Sequence, residues 1–330
     1  MGFEMLEMSV HFFAEEVVKE WNEFILRSRN GTFMHLMDFM SYHRHRYQDF
    51  STVIRKGNEI IAVFPANRVG DTVFSHAGLT YGGLIYGFEQ RLSDVRDAMI
   101  ALVEFYQQRN ISKIYYKPVP HIFQKYPSED DLHVLFSLGA RLVRRDLSSV
   151  IKFRNRPQMS KKRLSGVKKA FRAGLEMKEG DFLSDFHELL SSVLVRHNAT
   201  PVHSLQEMRL LQSRFPDNIK LAVARREDRL LAGTWLFKFG DVLHTQYLAC
   251  SEEGRNLGAL DFVISEIIDR SAPEFQFMSF GSSSGRDGQS INEGLVFQKE
   301  GFGARTIVLD HYELDISDIA ALARSAEKDT

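Results

Sequence analysis

The sequence contains only one cysteine, Cys250, among its 330 residues. A single thiol can form neither an internal disulfide nor a zinc site built from several cysteines. Excess charge of either sign is also missing, because the formal net charge is -1 at pH 7. Such a chain has no global field that would attract nucleic acid or an anionic surface. These absences exclude a disulfide scaffold and a protein that binds polyanions through its overall charge.

Long apolar runs are absent as well. No stretch reaches the ~18 consecutive apolar residues that a transmembrane helix needs. The first residues include Glu4 and Glu7 and lack the basic start and apolar run of a secretory signal. Leu6 stands where the N-myristoylation pattern after Met1-Gly2 needs Ser or Thr. We therefore expect a cytoplasmic protein without a membrane span.

The sequence does contain a large internal repeat. Residues 58–64 lead to Gly70-Asp71 and an apolar segment, and residues 228–234 lead to Gly240-Asp241 and a similar segment. Gly240 follows Gly70 by 170 residues, and Leu230 follows Ile60 by the same interval. Each copy is typical of a three-stranded antiparallel meander, followed by an amphipathic helix and a short strand. A repeat of this size predicts two like domains, which we place at 1–150 and 151–330.

Hydrophobic periodicity and capping signals predict the remaining elements. In the first half they are helices at 13–25, 36–47 and 93–108, a strand at 111–116 and a linker at 148–160. In the second half they are helices at 160–174, 181–197 and 256–270, strands at 275–280 and 305–310, and a meander at 219–249. Ser204 to Glu207 reads as a capping box that opens a further helix.

Three segments carry a family resemblance. They are Ser75-His76-Ala77-Gly78-Leu79-Thr80-Tyr81-Gly82-Gly83, then Pro201-Val202-His203-Ser204 with His244-Thr245-Gln246-Tyr247, and finally Asn292-Glu293-Gly294-Leu295 leading to Lys299-Glu300-Gly301-Phe302-Gly303. With the order of elements, they resemble the FemAB-like family of tandem-GNAT acyltransferases over residues 31–310. The resemblance implies an α+β fold of two tandem GNAT-like domains, each a mostly antiparallel mixed sheet with flanking helices.

The resemblance also implies an activity. The members that this sequence resembles most are enzymes of bacterial surface-polysaccharide biosynthesis, which implies N-acylation of an amino sugar carried on a nucleotide, dTDP or UDP. Acyl-CoA would be the co-substrate, and no metal is implied. Better-known relatives transfer amino acids from tRNA to peptidoglycan precursors, so an aminoacyl-tRNA-dependent transferase is the alternative. A third hypothesis is a binding module whose acyltransferase scaffold has lost its chemistry.

The coenzyme site is expected in the second half. Residues 251–260 join a predicted strand to a helix, and a helix N-terminus near glycines favours an anion. The segment resembles the GNAT pyrophosphate pattern Arg/Gln-x-x-Gly-x-Gly/Ala at Arg255 and Gly258, whereas Leu260 occupies the third position. An ordinary strand-to-helix loop is the alternative interpretation. The candidate coenzyme contacts are Leu248, whose amide would hold the oxyanion, together with Arg255, Asn256, Gly258, Asn292 and Lys299.

The first half lacks this pattern and is expected to form a wall for the acceptor. An aromatic ring and an imidazole suit a sugar or a nucleobase, and the glycine-rich loop at 75–83 supplies both. The alternative is that its glycines only allow close packing. The candidate acceptor contacts are His76, Tyr81, Gly82, Gly83, His197 and Gln246.

Proton transfer needs a group that titrates near neutral pH, and histidine is the usual choice. We expect His203 to act as the base that deprotonates the amine, with Tyr247 as proton donor to the leaving thiolate or as a substrate contact. His244 is the third candidate. Period-2 alternation places His244 and Gln246 on one strand face and Tyr247 on the other. The alternatives are purely structural histidines, and water as the base.

Residues 152–172 hold nine basic residues and no acidic one. Nucleotide or RNA phosphates would suit this run, and a solvated helix face is the alternative. We assign Phe171, together with Leu164 and Val167, to the buried stripe of the predicted helix.

Overall fold

The computed structural model describes residues 8–196, 198–285 and 287–317. The chain divides into two compact units, Met1–Arg145 with Leu309–Thr330, and Asp146–Val308. This division differs from the expected domains 1–150 and 151–330, because the chain returns to the first unit near its end. Within the described residues, none of the helices combines the length and apolarity needed to cross a membrane.

Each unit contains both strands and helices. The strands are β1 (Met8–Phe12), β2 (Gln48–Asp49), β3 (Thr52–Lys56), β4 (Glu59–Phe64), β5 (Asn67–Val69), β6 (Thr72–Phe74), β7 (Ile85–Tyr86), β8 (Lys113–Tyr116), β9 (Arg141–Lys152), β10 (Glu176–Glu179), β11 (Ile219–Arg226), β12 (Arg229–Phe239), β13 (Val242–Cys250), β14 (Phe277–Ser282) and β15 (Arg305–Asp315). The helices are α1 (Val18–Arg27), α2 (Met37–Met40), α3 (Leu92–Gln107), α4 (Asp130–Ser137), α5 (Lys161–Arg172), α6 (Leu183–Val195), α7 (Leu205–Arg214), α8 (Glu252–Leu257), α9 (Ala259–Ser271) and α10 (Glu293–Glu300).

The first unit distributes its expected meander over two sets of strands. Strands β3 and β4 pair antiparallel, between β1 and β7, whereas β5 and β6 pair with each other and with different neighbours, β2 and β8. Pro65 lies between β4 and β5. Proline has no backbone N–H and cannot donate to a strand ladder, so the ladder is interrupted there. The end of β15 pairs with β8, Leu314 opposite Ile114, which returns the last described residues to this unit.

The second unit contains the meander that the repeat predicts. Strands β11, β12 and β13 pair antiparallel in that order, β10 adds to the outer side of β11, and β14 lies parallel to β13. The expected linker at 148–160 is wrong in its first part. Residues 148–152 end β9 and pair with β14, with Ile151 opposite Met278. Ile151 and Met278 are both fully buried, so this segment is core strand.

Two helix-capping signals in the second unit are confirmed. Ser160 caps α5 by accepting a hydrogen bond from the Arg163 amide, and Ser204 and Glu207 form the capping box of α7. The helix expected at 256–270 is instead divided by Gly258, which has a φ of 75° and ends α8 where α9 begins. A Cβ on Gly258 would overlap the carbonyl oxygen of Gly166 in α5. Two glycines therefore allow α5 and α9 to approach each other closely.

Gly258→Ala should lower the thermal denaturation midpoint. Alanine at positive φ costs ~1–2 kcal/mol, and overlap with the Gly166 carbonyl adds roughly 1–3 kcal/mol. Gly174→Ala is the matched control, because Gly174 also has positive φ, 71°, but nothing lies within 4 Å of its added Cβ. Equal losses in the two variants would contradict the close contact between α5 and α9.

Candidate functional site

A cavity of about 500 Å³ opens in the second unit where β13 and β14 separate. Among the described residues the two strands pair at only three positions, Val242 to His244 on β13 with Phe277 to Ser279 on β14. Both strands continue beyond these pairs. The lining residues are Leu248, Cys250 and Phe280 on the two strands, with Lys162, Arg163, Val193, Gly254, Arg255, Gly258, Leu260, Asp261, Ile264, Leu295, Gln298, Lys299 and Phe302 around them.

A β-bulge in β13 lies beside this cavity. Tyr247 is opposite Trp235 on β12, and Thr245 is opposite the next residue, Leu236, so Gln246 is the extra residue. A bulge interrupts the period-2 alternation of side chains, so the expectation that Tyr247 lies on the strand face opposite His244 is wrong: their partners on β12, Trp235 and Phe237, are two residues apart. The His244 and Gln246 side chains still hydrogen-bond to each other. Leu248 lines the cavity, as its expected contact with the coenzyme requires.

His203 and Tyr247 lie together, as expected for a pair that handles protons. The Nδ1 atom of His203 is 2.7 Å from the Tyr247 hydroxyl, and the His203 backbone amide donates to the same hydroxyl at 3.3 Å. Trp235 stacks on the Tyr247 ring with an interplanar angle of 11°. His203 is only 5% exposed, so these contacts fix its ring. Neither side chain lines the cavity, although Tyr247 immediately precedes Leu248, which does.

His244 lies among polar groups but is a poor base. Its Nδ1 atom is 3.1 Å from the Ser279 hydroxyl. Burial, helped by the nearby charge of Lys299 and opposed by a hydrogen bond with Gln246, lowers the pKa of His244 to about 4. The ring is therefore neutral at pH 7. Because basicity falls with pKa, His244 is poorly suited to act as the base.

Lys299 lines the cavity, but its ammonium group is engaged within the protein. It donates to the carbonyl oxygens of Gly281 and Ser282 at 2.9 and 3.0 Å and to the Ser283 hydroxyl at 2.8 Å. Three acceptors use all three protons of an ammonium. Burial lowers the pKa of Lys299 to about 8. The expected coenzyme contact through this ammonium does not fit the structure, where Lys299 instead supports the end of β14.

The expected pyrophosphate contacts differ in their placement. Arg255 is exposed at the cavity and makes no ion pair among the residues that the structure describes. Asn256 is exposed and outside the lining, and Asn292 caps α10 by accepting the Leu295 amide at 3.0 Å. Gly258 lines the cavity but lies against the α5 backbone. Of the expected contacts at this end, Arg255 alone is a free cation.

An ion pair in the cavity wall was not anticipated. Arg163 of α5 lies 2.6 Å from Asp261 in the first turn of α9, and both side chains are 13% exposed. Burial raises the pKa of Asp261, and Arg163 opposes that shift. The carboxylate occupies the helix N-terminus that favours anions. The two residues are 98 positions apart, and no local pattern could have identified them as partners.

The expected acceptor contacts in the first unit lie in its interior. Tyr81 is 3% exposed, its carbonyl oxygen lies 3.4 Å from His35 Nε2, and Gly82 donates to the Lys117 carbonyl at 2.9 Å. A Cβ on Gly83 would contact the Tyr116 ring. These contacts support the alternative in which the glycine-rich loop serves close packing.

His76 is the member of this loop that faces a cavity. It is 5% exposed, has a φ of 57° and stacks on His43 at a centroid distance of 5.0 Å. It lines a small cavity with Tyr47 and Asp49. Burial lowers the pKa of His76 to about 3, with contributions from His43 and Lys117. His197, the other imidazole proposed to contact the acceptor, lies outside the described residues.

Metal ligands do not cluster in the described part of the chain. No group of three or more His, Cys, Asp or Glu side chains is placed there so that it could hold a metal ion.

Comparison with known protein families finds a match within the second unit. Residues 152–283 match the family model of the acetyltransferase (GNAT) domain. This segment includes β13, β14 and most of the cavity wall. The second unit is therefore similar to an acetyltransferase (GNAT) domain along most of its length. No curated protein sequence matches the chain.

Solved structures extend the similarity to both units. The structure of FemX superposes with a TM-score of 0.66 at 11% identity, covering 96% of this chain and 100% of that one. L-PGS from Bacillus licheniformis gives 0.58 at 9% identity, covering 95% and 94%. A tandem GNAT protein from the clavulanic acid biosynthesis pathway gives 0.51 at 11% identity, covering 94% and 99%. The expected α+β fold of two tandem GNAT-like domains is confirmed.

The low pKa of His244 predicts an acid-dependent loss of stability. Above pH 6.5 His244 is neutral in both the folded and the unfolded protein, so its contribution to the free energy of unfolding is fully present. As the pH falls from 6.5 towards 4, His244 becomes protonated in the unfolded chain but stays neutral in the folded protein, so the free energy of unfolding decreases. His244→Gln should reduce the loss between pH 7 and pH 5 by up to about 2 kcal/mol, measured by denaturant unfolding. His133→Gln, at an exposed position on α4, is the control; equal pH dependence in both variants would contradict the assignment.

Proposed function

We propose that this protein is an N-acyltransferase that moves an acyl group from acyl-CoA to the amine of a nucleotide-linked amino sugar, dTDP or UDP, for surface-polysaccharide biosynthesis. The observation that carries the proposal is the cavity between β13 and β14 in the unit with the GNAT domain. A thioester substrate needs a groove for its pantetheine arm and hydrogen-bond donors for the tetrahedral oxyanion. The separation of β13 from β14 supplies the groove and, within the described part of the chain, leaves one edge of β13 without a partner strand at that point.

The cavity offers apolar side chains to the pantetheine arm of the coenzyme and basic side chains to its diphosphate. Leu248, Ile264 and Phe280 give the apolar wall that a pantetheine arm requires. Arg255 is the free cation for the diphosphate, and Lys162 is a second basic side chain at the same cavity. The amide of Leu248 is the proposed oxyanion donor. Arg163 cannot serve in the same way because Asp261 already neutralises it.

His203 and Tyr247 supply a balanced proton path. The amine attacks the thioester carbonyl, the C–N bond forms, and the C–S bond breaks as the oxyanion collapses. His203 accepts the proton that the amine loses, and the Tyr247 hydroxyl donates a proton to the leaving thiolate. The 2.7 Å contact between the two side chains lets the proton return from His203 to the phenolate, which restores both groups.

The acceptor assignment rests on the resemblance that residues 75–83, 201–204 with 244–247, and 292–303 carry to the FemAB-like family, in which the members most similar to this sequence are enzymes of surface-polysaccharide biosynthesis. A nucleotide-linked sugar also suits a chain of formal net charge -1, since it presents only a diphosphate to bind. His76, Gln246 and His197 remain the proposed acceptor contacts, with Tyr81, Gly82 and Gly83 shaping the loop that holds His76.

A second candidate is an aminoacyl-tRNA-dependent transferase of the FemAB type that acts on a peptidoglycan precursor. Two observations favour it. Asp261 places a carboxylate at the helix N-terminus where a GNAT protein binds the pyrophosphate, and Leu260 occupies a pattern position that requires a small residue. The fold shared with FemX is compatible with this donor.

Incubation with a panel of acyl-CoAs and dTDP- or UDP-linked amino sugars tests the leading proposal. We expect release of free thiol and a product heavier than the acceptor by one acyl group, read by mass spectrometry. Release of thiol from no acyl-CoA with any of these acceptors would refute it. Transfer from aminoacyl-tRNA that is abolished by RNase would establish the second candidate instead.

Removing either member of the proton path should slow the chemical step. His203→Gln and Tyr247→Phe should each lower kcat about 10²- to 10⁴-fold, with little change in KM for the thioester because proton transfer acts in the transition state and not in ground-state binding. The double variant should be no slower than the worse single one, since the two groups act as a unit. His133→Gln is the control. Full activity of both single variants would assign proton transfer to water.

A further inference from the structure

The outer face of α5 combines cationic and apolar side chains. Lys161, Lys168, Lys169 and Arg172 are exposed and, among the residues that the structure describes, make no ion pair. Seven residues apart, Leu164 and Phe171 are 44% and 76% exposed. Positions seven apart lie nearly above each other on a helix, so the two apolar side chains form a strip along the cationic one. The expected burial of Phe171 in the apolar stripe is wrong.

Helix α5 is turned so that its small residues face the protein. Gly166 contacts α9, and Ala170 is the only residue of α5 that is fully buried among those described. A larger apolar side chain in place of Gly166 or Ala170 would hold α5 further from α9. The helix therefore leaves Leu164 and Phe171 outside, which costs free energy in water unless another apolar medium covers them.

The neighbouring helix extends this surface. Phe297 of α10 is 65% exposed, and the Lys162 ammonium lies 6.0 Å from the centre of its ring. The cationic strip of α5 thus has exposed apolar side chains on both flanks. The acidic residues of α10, Glu293 and Glu300, make no ion pair with α5 within the described structure. We call this surface, formed by Lys161, Leu164, Lys168, Phe171, Arg172 and Phe297, the α5 face.

We propose that the α5 face binds the surface of an anionic lipid bilayer. A bilayer offers a plane of negative headgroups with an apolar layer just beneath it, and an amphipathic helix rich in lysine with protruding Phe and Leu meets both. A nucleic acid would satisfy the charges, but its bases bind aromatic rings by stacking and leave an aliphatic side chain such as Leu164 without a partner. The pairing of aliphatic and aromatic side chains beside the charges therefore favours lipid.

The proposal has a consequence for the site and does not depend on it. Lys162 and Arg163 of α5 also line the cavity, so binding through the α5 face would hold the cavity close to the bilayer surface. An acceptor generated or consumed at a membrane would meet the enzyme there. Lipid binding is measured without any acyl transfer, so failure of the proposed function leaves this proposal standing, and the reverse also holds.

Vesicle co-sedimentation tests the proposal with the full chain. The protein should bind phosphatidylcholine vesicles that contain phosphatidylglycerol, should not bind phosphatidylcholine alone, and should be released by rising salt. The triple variant Lys161→Gln, Lys168→Gln, Arg172→Gln should weaken partitioning by about fivefold per charge removed, roughly 100-fold in total. Phe171→Ser should weaken it about tenfold, because an apolar ring no longer enters the interface.

Matched controls separate this face from general effects of charge and hydrophobicity. The triple variant Lys178→Gln, Arg209→Gln, Arg229→Gln removes the same charge at exposed positions of β10, α7 and β12, and Phe136→Ser removes an 80% exposed ring from α4. Both should partition like the unmodified protein. Equal binding by all variants, or no binding to anionic vesicles, would overturn the proposal. Binding of tRNA that only the α5 triple variant loses, without vesicle binding, would assign the face to RNA.

Discussion

The candidate site depends on the separation of β13 from β14. Parallel strands normally keep their ladder because each unpaired buried backbone group costs free energy, about 1–3 kcal/mol. Two features offset that cost here. The bulge at Gln246 changes the course of β13, and Lys299 supplies hydrogen bonds to the carbonyl oxygens of Gly281 and Ser282 at the end of β14. The buried Lys299 ammonium thus donates hydrogen bonds that a neighbouring strand would otherwise donate, and the space between β13 and β14 becomes a cavity.

The electrostatics of the cavity are largely neutralised within the protein. Asp261 is paired with Arg163, and Lys299 is surrounded by acceptors. Breaking a buried pair by removing one partner leaves an uncompensated charge, which is strongly destabilising, so these groups are poorly suited to exchange partners when a substrate binds. Arg255 remains for an anionic substrate. A site whose unpaired cations among the described residues, Arg255 and Lys162, are both exposed suits a diphosphate that extends into solvent more than a phosphate enclosed in the cavity.

The two units contain segments of similar sequence pattern, but these segments form different structures. In the second unit an uninterrupted meander leads into a strand that separates from its neighbour, and the space between them is the proposed thioester site. In the first unit Pro65 interrupts the meander, and the loop at 75–83 is held in the interior by Lys117, which donates to the carbonyl oxygens of His76 and Leu79. Two segments of similar sequence pattern can therefore differ in structure, with the loop of one copy closed by internal hydrogen bonds.

By itself the sequence determined the elements that local chemistry defines. The meander of β11, β12 and β13 follows from alternating apolar residues and a Gly-Asp turn, and α7 follows from the Ser204 capping box, because these signals act over a few residues. His203 and Tyr247 were also singled out together, from the proton transfer that acylation of an amine requires, and they are in contact. The tertiary structure alone decided the bulge at Gln246, the exposure of Phe171 and the pairing of Arg163 with Asp261. Each of these depends on which distant element lies alongside, and no local pattern encodes a contact between residues 98 positions apart.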